Sequence, residues 1–589
     1  MDLPAICVGA GRRSRRQVIA SIQAAPTPET FAHPGWDDVR PWYEELEARP
    51  LGAGSVESWL ADWSRLESAL GEAAALAMIA YTCDTAAAAK HEAHLRFSSD
   101  ILPKAEELSV RLARRFVELG VVPPGLEQAV ARFRRAIEIF REANVPLVTE
   151  SERLGSEYQQ ITGGLTVAWQ GEEIPLPRLA PFLKSTDRSE RERAFRAWAS
   201  PYVAHRGEFA TLFDRLYACR QGIARNAGFP DFEAYSFAAK CRFDYAPDDC
   251  RRFHDSVEEA VMPAVERIHA RRRERLGLPV LRPWDTSVDP WGRTAIRPFE
   301  TEGEFIATAE QVFARVDPAL GREFGIMRRE RLLDLTTRKG KAPGGYCETL
   351  TVRGRPFIFM NAAGTVEDVM TLLHESGHAF HAFASHPLPY LWQRHPTMEM
   401  AELASMSMEL LAFSALRRND GGFFSDAEYR RAIREHLEDA LLTLAHVASV
   451  DAFQSWIYTS GDGADADARD QAWLRIRARF ERGVDWSGLD AERVARWYRQ
   501  LHIFLYPFYY IEYGLAGLGA LQLWQNSLSD HPGALAAYRE ALALGGTRPL
   551  PELYRTAGAR LVFDAEWMAA LVARVEEELG RLDEHTRGR

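Results

Sequence analysis

Two histidines four residues apart, with a glutamate directly after the first, are the side chains of this chain best placed to do chemistry. His374, Glu375 and His378 stand in the sequence HESGH. On a helix, side chains at positions i and i+4 lie on one face, so both imidazoles can bind one metal ion. The spacing therefore predicts a metal site, with Glu375 beside it as a carboxylate able to accept a proton.

A helix has to position these residues, and local signals predict one from residue 366 to residue 386. Thr365 is able to cap its first turn, and Asp368 follows three residues later, as in a capping box. Apolar side chains then recur at helical spacing, and Pro387 supplies a stop. Both histidines fall inside this helix, as a shared metal requires.

A third ligand has to come from elsewhere, because a catalytic zinc site takes three protein ligands and keeps one position for water. Residues 397–418 are predicted to form a second helix, which begins after a proline-containing loop. Helices joined by a short loop tend to lie antiparallel, so a carboxylate early in the second helix can reach the metal. We favour Glu402. Glu399 and Glu409 are alternatives on the same helix, and as charged residues they also fit a solvated face.

His381 is a further candidate ligand, since it follows His378 by three residues on the same helix face. At about 1.5 Å rise per residue, a ring seven positions after His374 lies roughly another 4.5 Å along the axis from the pair. That offset favours packing, or support of the ligands, over metal binding.

The two predicted helices carry a resemblance to a known family. Residues 368–381 (DVMTLLHESGHAFH), followed by residues 401–409 (AELASMSME), resemble the thimet oligopeptidase and neurolysin family of zinc peptidases, and most closely its oligoendopeptidase F branch. In that family the motif histidines and the glutamate of the second helix bind one zinc ion, and the motif glutamate is the general base. The resemblance implies His374, His378 and Glu402 as ligands of one Zn²⁺. It also implies that Glu375 is the base.

A second chemically interesting segment, residues 502–524, reads HIFLYPFYYIEYGLAGLGALQLW. It is too polar for a membrane span, and a buried helix beginning near Pro507 is predicted. In the family a histidine and tyrosines of this segment donate hydrogen bonds to the oxyanion. The resemblance implies His502 as that histidine. The tyrosine candidates, any of which also fits a core residue with a satisfied hydroxyl, are Tyr509, Tyr510 and Tyr513, with Tyr506 as a weaker one.

The rest of the sequence favours an all-α fold. Periodicity predicts helices over most of the chain, interrupted by a hairpin near residues 165–176 with Gly171 in its turn. We divide the chain into an N-terminal helical region, residues 1–200, and a catalytic region, residues 201–589. The family likeness implies two intertwined lobes around a deep substrate channel, with a small β-sheet near the zinc helix.

Charge and cysteine content limit the environment and the partners. Lysine and arginine number 72 and aspartate and glutamate 83, so the formal net charge is −11 and indicates no nucleic-acid partner. The six cysteines show no CxxC spacing, which fits a reducing compartment. Residues 3–9 are too short an apolar stretch for a signal peptide. We expect a cytoplasmic protein that acts on oligopeptides and has no membrane partner.

The leading hypothesis for function is a zinc endopeptidase that cuts internal bonds of oligopeptides, because a narrow channel would exclude folded proteins. The first alternative is a related exopeptidase, either a dipeptidyl carboxypeptidase or a metallocarboxypeptidase. The second is a catalytically inactive helical protein that binds peptides and keeps zinc for structure. Glu375 argues against this last alternative, because a structural zinc site needs no base.

Overall fold

The described residues form two compact units. The computed structural model describes residues 25–587, with side chains up to residue 582. Unit 1 contains the described residues up to Ile137, together with Ile296–Tyr429 and Ala520–Arg560. Unit 2 contains Glu138–Ala295, Arg430–Gly519 and the described residues from Leu561 onward. Each unit therefore draws on three separate stretches of chain.

These units do not coincide with the N-terminal and catalytic regions predicted on either side of residue 200. That residue lies inside a helix, Arg188–Ala204, whose whole length belongs to unit 2. No boundary between the two units therefore occurs at residue 200. The division into an N-terminal and a catalytic region stays a prediction about function.

Helices dominate both units, as predicted. In chain order they are α1 (Trp36–Ala48), α2 (Val56–Cys83), α3 (Ala88–Leu95), α4 (Leu102–Leu119), α5 (Glu127–Ile139), α6 (Val145–Gly164), α7 (Ala180–Leu183), α8 (Arg188–Ala204), α9 (Arg206–Ala227), α10 (Phe232–Ala239), α11 (Pro247–Ser256), α12 (Met262–Arg275), α13 (Glu302–Val316), α14 (Pro318–Arg329), α15 (Val366–Ser385), α16 (Leu391–Arg394), α17 (Met398–Leu411), α18 (Asp426–Thr459), α19 (Ala466–Phe480), α20 (Asp490–Tyr498), α21 (Leu501–Leu505), α22 (Tyr510–Ser529), α23 (His531–Ala543), α24 (Leu550–Thr556) and α25 (Ala565–Arg587).

Shorter helical turns connect some of these elements. Two π-helical turns continue α3 into α4 and α11 into α12, at Arg96–Ile101 and Val257–Val261. The 3₁₀ turns lie at Pro28–Phe31, Glu142–Asn144, Leu176–Leu179, Pro283–Asp285, Ala412–Ala415 and Arg418–Asp420.

Two small sheets interrupt the helices. Strands β1 (Thr166–Trp169) and β2 (Glu172–Pro175) form the predicted hairpin, and its two turn residues, Gln170 and Gly171, have φ of 53° and 89°. Two consecutive positive φ values are typical of the type I′ turn that joins hairpin strands. The second sheet contains β3 (Leu333–Thr336), β4 (Tyr346–Leu350) and β5 (Arg355–Ala362). The central strand, β5, pairs parallel with β3 and antiparallel with β4. This is the sheet expected ahead of the zinc helix.

An aromatic cluster in unit 1 anchors the loop between α15 and α17. The ring of Trp392, on α16, lies 4.3 Å from Trp63 and 5.2 Å from Phe133, measured between centroids. Next to it, Arg132 donates a hydrogen bond of 2.8 Å to the carbonyl of His395. Because the loop is held at these points, the start of α17 has a defined position relative to α15.

In unit 2, aromatic stacking fixes the short helix α21. The ring of Phe504 stacks on Tyr158, with centroids 4.2 Å apart, and packs parallel to Trp497 at 5.7 Å. Phe504 and Trp497 are almost fully buried. Aromatic pairs of this kind contribute about 0.5–1.5 kcal/mol beyond their burial. They hold the segment that contains His502.

Two further observations concern hydropathy and cysteines in the described part of the chain. Within residues 25–587, no helix combines the length and the hydropathy needed to span a bilayer. The cysteines of the described chain are free thiols, at Cys83, Cys219, Cys241, Cys250 and Cys347. The apolar stretch at residues 3–9 lies outside the described residues.

Candidate metal centre and active site

Helix α15 begins as its capping signals predict. The backbone N–H of Thr365 donates to Asp368 Oδ2 at 2.7 Å, and the Asp368 N–H donates to Thr365 Oγ1 at 3.2 Å. This reciprocal pair is a capping box, which satisfies two backbone donors at the helix start. The helix runs from Val366 to Ser385, one residue short of the predicted end.

Gly377 lets the second helix approach the motif closely. A Cβ atom at this position would lie 2.5 Å from Ser405 Cα and 2.6 Å from the carbonyl oxygen of Ala404. No other residue type fits that space without displacing backbone. Because the backbones meet here, a side chain one turn earlier on α17 can reach the two motif histidines.

Replacing Gly377 by alanine should destabilise unit 1 by about 1–3 kcal/mol, the usual cost of forcing a methyl group into a packed core. It should also lower zinc content by pushing α17 away from the histidines. Denaturant unfolding and metal analysis measure both effects. Gly71→Ala in α2 is the control, because its added Cβ would have no neighbour within 4 Å. Equal stability of the two variants would contradict the close approach.

His374, His378 and Glu402 form one group of candidate metal ligands. Their ligand atoms all lie within 4.8 Å of one another. Glu402 Oε2 lies 3.4 Å from His374 Nε2 and 3.8 Å from His378 Nε2. Two imidazole nitrogens and one carboxylate oxygen are a donor set that suits catalytic zinc and leaves a position for water. The residues present therefore fit the metal predicted from the sequence.

Glu409, two turns after Glu402 on α17, contacts one of the candidate ligands, His374. Its Oε1 lies 2.7 Å from His374 Nδ1, with the carboxylate mostly buried. A carboxylate can only accept here, so the contact holds the proton on Nδ1 and leaves Nε2 for a metal. Its interpretation as part of a solvated face was wrong. Position 409 follows Glu402 by seven residues, and that two-turn spacing was the signal in the sequence.

The His502 segment forms an aromatic cluster in unit 2. The His502 ring lies 4.8 Å from Tyr510, 6.0 Å from Tyr509 and 6.1 Å from Tyr513, between centroids. Tyr506 lies at 6.1 Å as well, but its side chain is largely exposed. The structure therefore brings together the histidine and every tyrosine named from the sequence.

The helix of this segment begins later than predicted. It starts at Tyr510 rather than near Pro507, because Phe508 has a φ of 59°, which interrupts a right-handed helix. The N–H of Phe508 donates to Gln454 Oε1 at 2.8 Å, which stabilises that conformation. Tyr509 consequently precedes the helix, although its ring still lies 5.2 Å from Tyr513.

Comparisons with known proteins agree on one family. The sequence profile of peptidase family M3 matches residues 182–573, which is more than half of the chain. The chain belongs to peptidase family M3. It is 22% identical over 425 residues to the group B oligopeptidase PepB of Streptococcus agalactiae serotype III (strain NEM316), covering 70% of this chain and 67% of PepB. It is 25% identical over 276 residues to the oligopeptidase PepF of Bacillus subtilis (strain 168), covering 45% of this chain and 39% of PepF.

Solved structures of similar proteins cover nearly the whole chain. A PZ peptidase A with an inhibitor superimposes with a TM-score of 0.84 at 27% identity, over 97% of this chain and 98% of the other. A putative oligoendopeptidase F superimposes with a TM-score of 0.85 at 28% identity, over 93% and 97%. The predicted family is thus confirmed, and these relatives favour its oligoendopeptidase F branch. Thimet oligopeptidase and neurolysin belong to a different branch of family M3.

In this M3 chain, Glu375 lies beside the ligand group. The side chain is 7% exposed, and a Cβ on Gly345, just before strand β4, would lie 3.7 Å from its Oε1. Burial raises the pKa of Glu375 to about 7. A carboxyl group with a pKa near neutrality is suited to take up and release a proton.

The pKa values of the two motif histidines shift in opposite directions. Burial lowers the pKa of His378 to about 4, which keeps the imidazole neutral, the form that binds metal. Burial also opposes protonation of His374, but the carboxylates of Glu402 and Glu409 reverse this effect and raise the pKa of His374 above its usual value.

The other two candidate ligands, His381 and Glu399, are buried and stand outside the group of three candidate ligands. The interpretation of Glu399 as part of a solvated face was therefore wrong as well.

Helix α17 ends at Leu411 rather than at residue 418. A 3₁₀ turn, Ala412–Ala415, follows directly. The chain then turns back, and the N–H of Phe424 donates to the Leu416 carbonyl at 3.0 Å in place of a further helical turn.

Two buried arginines that were missed in the sequence fix the His502 segment. Arg220 Nη1 donates to the Ile503 carbonyl at 2.9 Å and to the Tyr458 hydroxyl at 2.8 Å. Arg242 Nη2 lies 2.8 Å from Glu512 Oε1, in a pair that is 1% exposed on each side. Their partners are more than two hundred residues distant in sequence, so no local pattern marks them.

Proposed function

We propose that His374, His378 and Glu402 hold one zinc ion in this protein, and that the site cleaves internal bonds of oligopeptides. The observation that carries the proposal is the convergence of two imidazole nitrogens and one carboxylate oxygen within 4.8 Å. The activity itself, predicted from the sequence as that of a metal-dependent endopeptidase, is confirmed by membership of family M3 and by the oligoendopeptidase relatives.

The residues around the ligands have distinct tasks. Zinc, when bound, supplies a Lewis acid that polarises the peptide carbonyl and acidifies water. Glu375 accepts the proton of the attacking water and delivers it to the leaving amine. Glu409 keeps the proton of His374 on Nδ1, so that Nε2 stays directed at the ligand group. No covalent intermediate with the protein is required.

His502 and the tyrosines around it are proposed as donors to the oxyanion of the tetrahedral intermediate. The support is their clustering within residues 502–513, with ring centroids 4.8–6.1 Å from His502. Each donor in such a site typically accounts for 10²–10³-fold in kcat. We rank Tyr510 first, because its hydroxyl has a fixed partner, Gln500, at 2.9 Å.

Replacing His502 by phenylalanine should lower kcat by about 10²-fold while zinc content stays unchanged. Phenylalanine keeps the ring and its aromatic contacts but has no N–H to donate. Steady-state kinetics and metal analysis measure the two quantities. The exposed His33 provides the control, His33→Phe, with unaltered kinetics. A wild-type kcat in His502→Phe would remove His502 from the oxyanion role.

The substrate class is tested with end-blocked peptides of graded length, incubated with the zinc-loaded protein and analysed by mass spectrometry. Cleavage at internal bonds, decreasing as the peptides lengthen, is expected from an oligopeptide endopeptidase. Cleavage only when the C-terminus is free would favour the dipeptidyl carboxypeptidase or carboxypeptidase alternative. Binding without cleavage would favour the inactive binding protein.

We also propose a cytoplasmic location. The support is the cysteine usage: the five cysteines of the described chain are free, and Cys250 is fully buried as a small apolar side chain. Fractionation of the producing cells, with the protein detected by antibody, tests the proposal. Recovery from the culture medium would contradict it.

A further inference from the structure

We propose that Gln500 is a positioning residue that determines which ring nitrogen of His502 carries the proton. It is the last member of a hydrogen-bond relay that begins at Arg477 and passes through His446. The inference rests on the oxyanion role proposed above for His502 and adds to it the residues that prepare this donor. All members of the relay belong to unit 2.

The relay is a continuous line of hydrogen bonds. Arg477 Nη1 lies 3.1 Å from His446 Nδ1, and His446 Nε2 lies 3.2 Å from Gln500 Oε1. The amide nitrogen of Gln500 then lies 3.1 Å from His502 Nδ1 and 2.9 Å from the hydroxyl oxygen of Tyr510. The His446 ring also packs edge-on against Tyr510, with centroids 5.4 Å apart.

The direction of the first bond is set by Arg477. A guanidinium group has only donors, so His446 Nδ1 has to accept. A neutral imidazole carries one proton, which therefore resides on Nε2 and is donated to Gln500 Oε1. Burial, together with the charges of Arg477 and Arg496, lowers the pKa of His446 to about 3, which keeps this ring neutral.

The same reasoning fixes the orientation of the Gln500 amide. If the amide were flipped, its NH₂ group would face His446 Nε2, and that nitrogen would have to accept. His446 would then accept at both nitrogens and carry no proton, which a neutral imidazole cannot do. The NH₂ group of Gln500 consequently faces His502 and Tyr510.

His502 receives its tautomer from this orientation. Because the Gln500 amide nitrogen donates, His502 Nδ1 accepts, and the ring proton is held on Nε2. The relay thus makes Nε2–H the donor of His502. Tyr510 likewise accepts from Gln500 and retains its own O–H for donation. One amide therefore prepares two of the candidate donors, His502 and Tyr510.

The start of the relay is rigid. Arg477 also donates to Ser449 Oγ at 3.0 Å and pairs with Glu481. Glu481 is paired in turn with Arg493, at 2.7 Å, and with Arg496. Because Arg477 is fixed on both sides, it cannot release His446 by rotating away. The network of charged side chains around Arg477 therefore fixes which ring nitrogen of His502 carries the proton.

The place of Gln500 in the backbone supports the same conclusion. It is the N-cap residue of α21, yet its side chain makes no capping hydrogen bond. Helix N-caps favour Ser, Thr, Asp and Asn, whose side chains bond the first turn. The longer glutamine side chain instead spans the gap between His446 and His502.

NMR of zinc-loaded protein with isotope-labelled histidine tests the inference directly. Long-range nitrogen–proton correlations distinguish a protonated from an unprotonated ring nitrogen, and the His502 signals are those absent from His502→Phe. We expect an unprotonated Nδ1 and a protonated Nε2. A proton on Nδ1 of His502 in the wild type would overturn the inference.

Gln500→Glu should reverse the tautomer with almost no change in size. The carboxylate can still accept from His446, but it has no N–H to give, so it draws the His502 proton to Nδ1. We expect this NMR change together with a fall of about 10²-fold in kcat and little change in KM. Gln160→Glu, an exposed change of the same kind in unit 2, is the control with wild-type values. An unchanged tautomer in Gln500→Glu would overturn the inference.

A double-mutant cycle separates this inference from the function on which it rests. Adding Gln500→Glu to the combined His502→Phe, Tyr510→Phe variant should cause no further loss in kcat, because the relay acts only through those two donors. A further large loss would show that Gln500 acts elsewhere and would overturn its positioning role. If His502→Phe keeps the wild-type kcat while NMR of the wild-type protein shows the expected His502 tautomer, the result would instead overturn the oxyanion role proposed for His502.

Discussion

Glu375→Gln should lower kcat/KM by about 10²–10⁴-fold, the range in which a general base contributes, while the protein keeps its full zinc content. Glutamine has the size of glutamate and fills the same buried position, but its amide does not accept a proton. Glu375 is 7% exposed and lies outside the group of three ligands. Loss of turnover without loss of metal would therefore identify a base rather than a ligand.

The matched control for this prediction is Glu367→Gln on the same helix. Glu367 lies in the exposed first turn of α15, two turns before the ligands. The Glu367→Gln substitution removes the same charge from α15 at a distance from the candidate ligands, so peptide cleavage should be unchanged. Peptide cleavage by Glu375→Gln at the wild-type rate would exclude Glu375 as the base. Loss of zinc from the variant would instead place the carboxylate among the ligands.

Local signals account for what the sequence predicted well. The start of α15 depends on Thr365 and Asp368, three residues apart, and the metal pair on His374 and His378, four residues apart. Residues three or four positions apart are neighbours on a helix, so these contacts can be predicted from the sequence of one or two helical turns. The choice of Glu402 needed one further step, the antiparallel return of a second helix across a short loop.

Distant partners account for what the sequence did not predict. The left-handed conformation of Phe508, which delays α22, is stabilised by Gln454 from another helix. After the end of α17, the backbone of Leu416 pairs with Phe424 in place of a further helical turn. The contact of Glu409 with His374 Nδ1 was not predicted, and it joins residues 35 positions apart in the chain. Each of these contacts exists only after the helices have packed.

The division of the chain shows the same limit at a larger scale. Composition alone gives no boundary between the units, because no Gly-rich or Ser-rich linker separates them. Each unit is assembled from three stretches of chain, and α18 begins in unit 1 and continues in unit 2. A chain that passes repeatedly between two cores has continuous helices where a linker would otherwise mark a domain end.

Glu402→Gln should reduce zinc affinity by more than about 100-fold, since even residues that only support a ligand account for 10–100-fold. In the wild-type protein, Glu402 Oε2 lies 3.4 Å from His374 Nε2 and 3.8 Å from His378 Nε2. The glutamine amide that replaces this carboxylate carries no charge. Two neutral histidines are then left to hold the ion. Metal analysis after dialysis against a weak chelator measures the loss, and peptide cleavage should fall with it.

The control is Glu399→Gln, which removes a carboxylate from the same helix one turn earlier. Glu399 is also buried, so both variants replace an internal glutamate with its isosteric amide. We expect Glu399→Gln to keep zinc and activity, because only Glu402 joins the two histidines in the ligand group. Zinc retained by Glu402→Gln and lost from Glu399→Gln would assign the third ligand to residue 399. The packing of α17 at Gly377 makes that exchange unfavourable, since it would require the helix to rotate against a backbone contact with no free space.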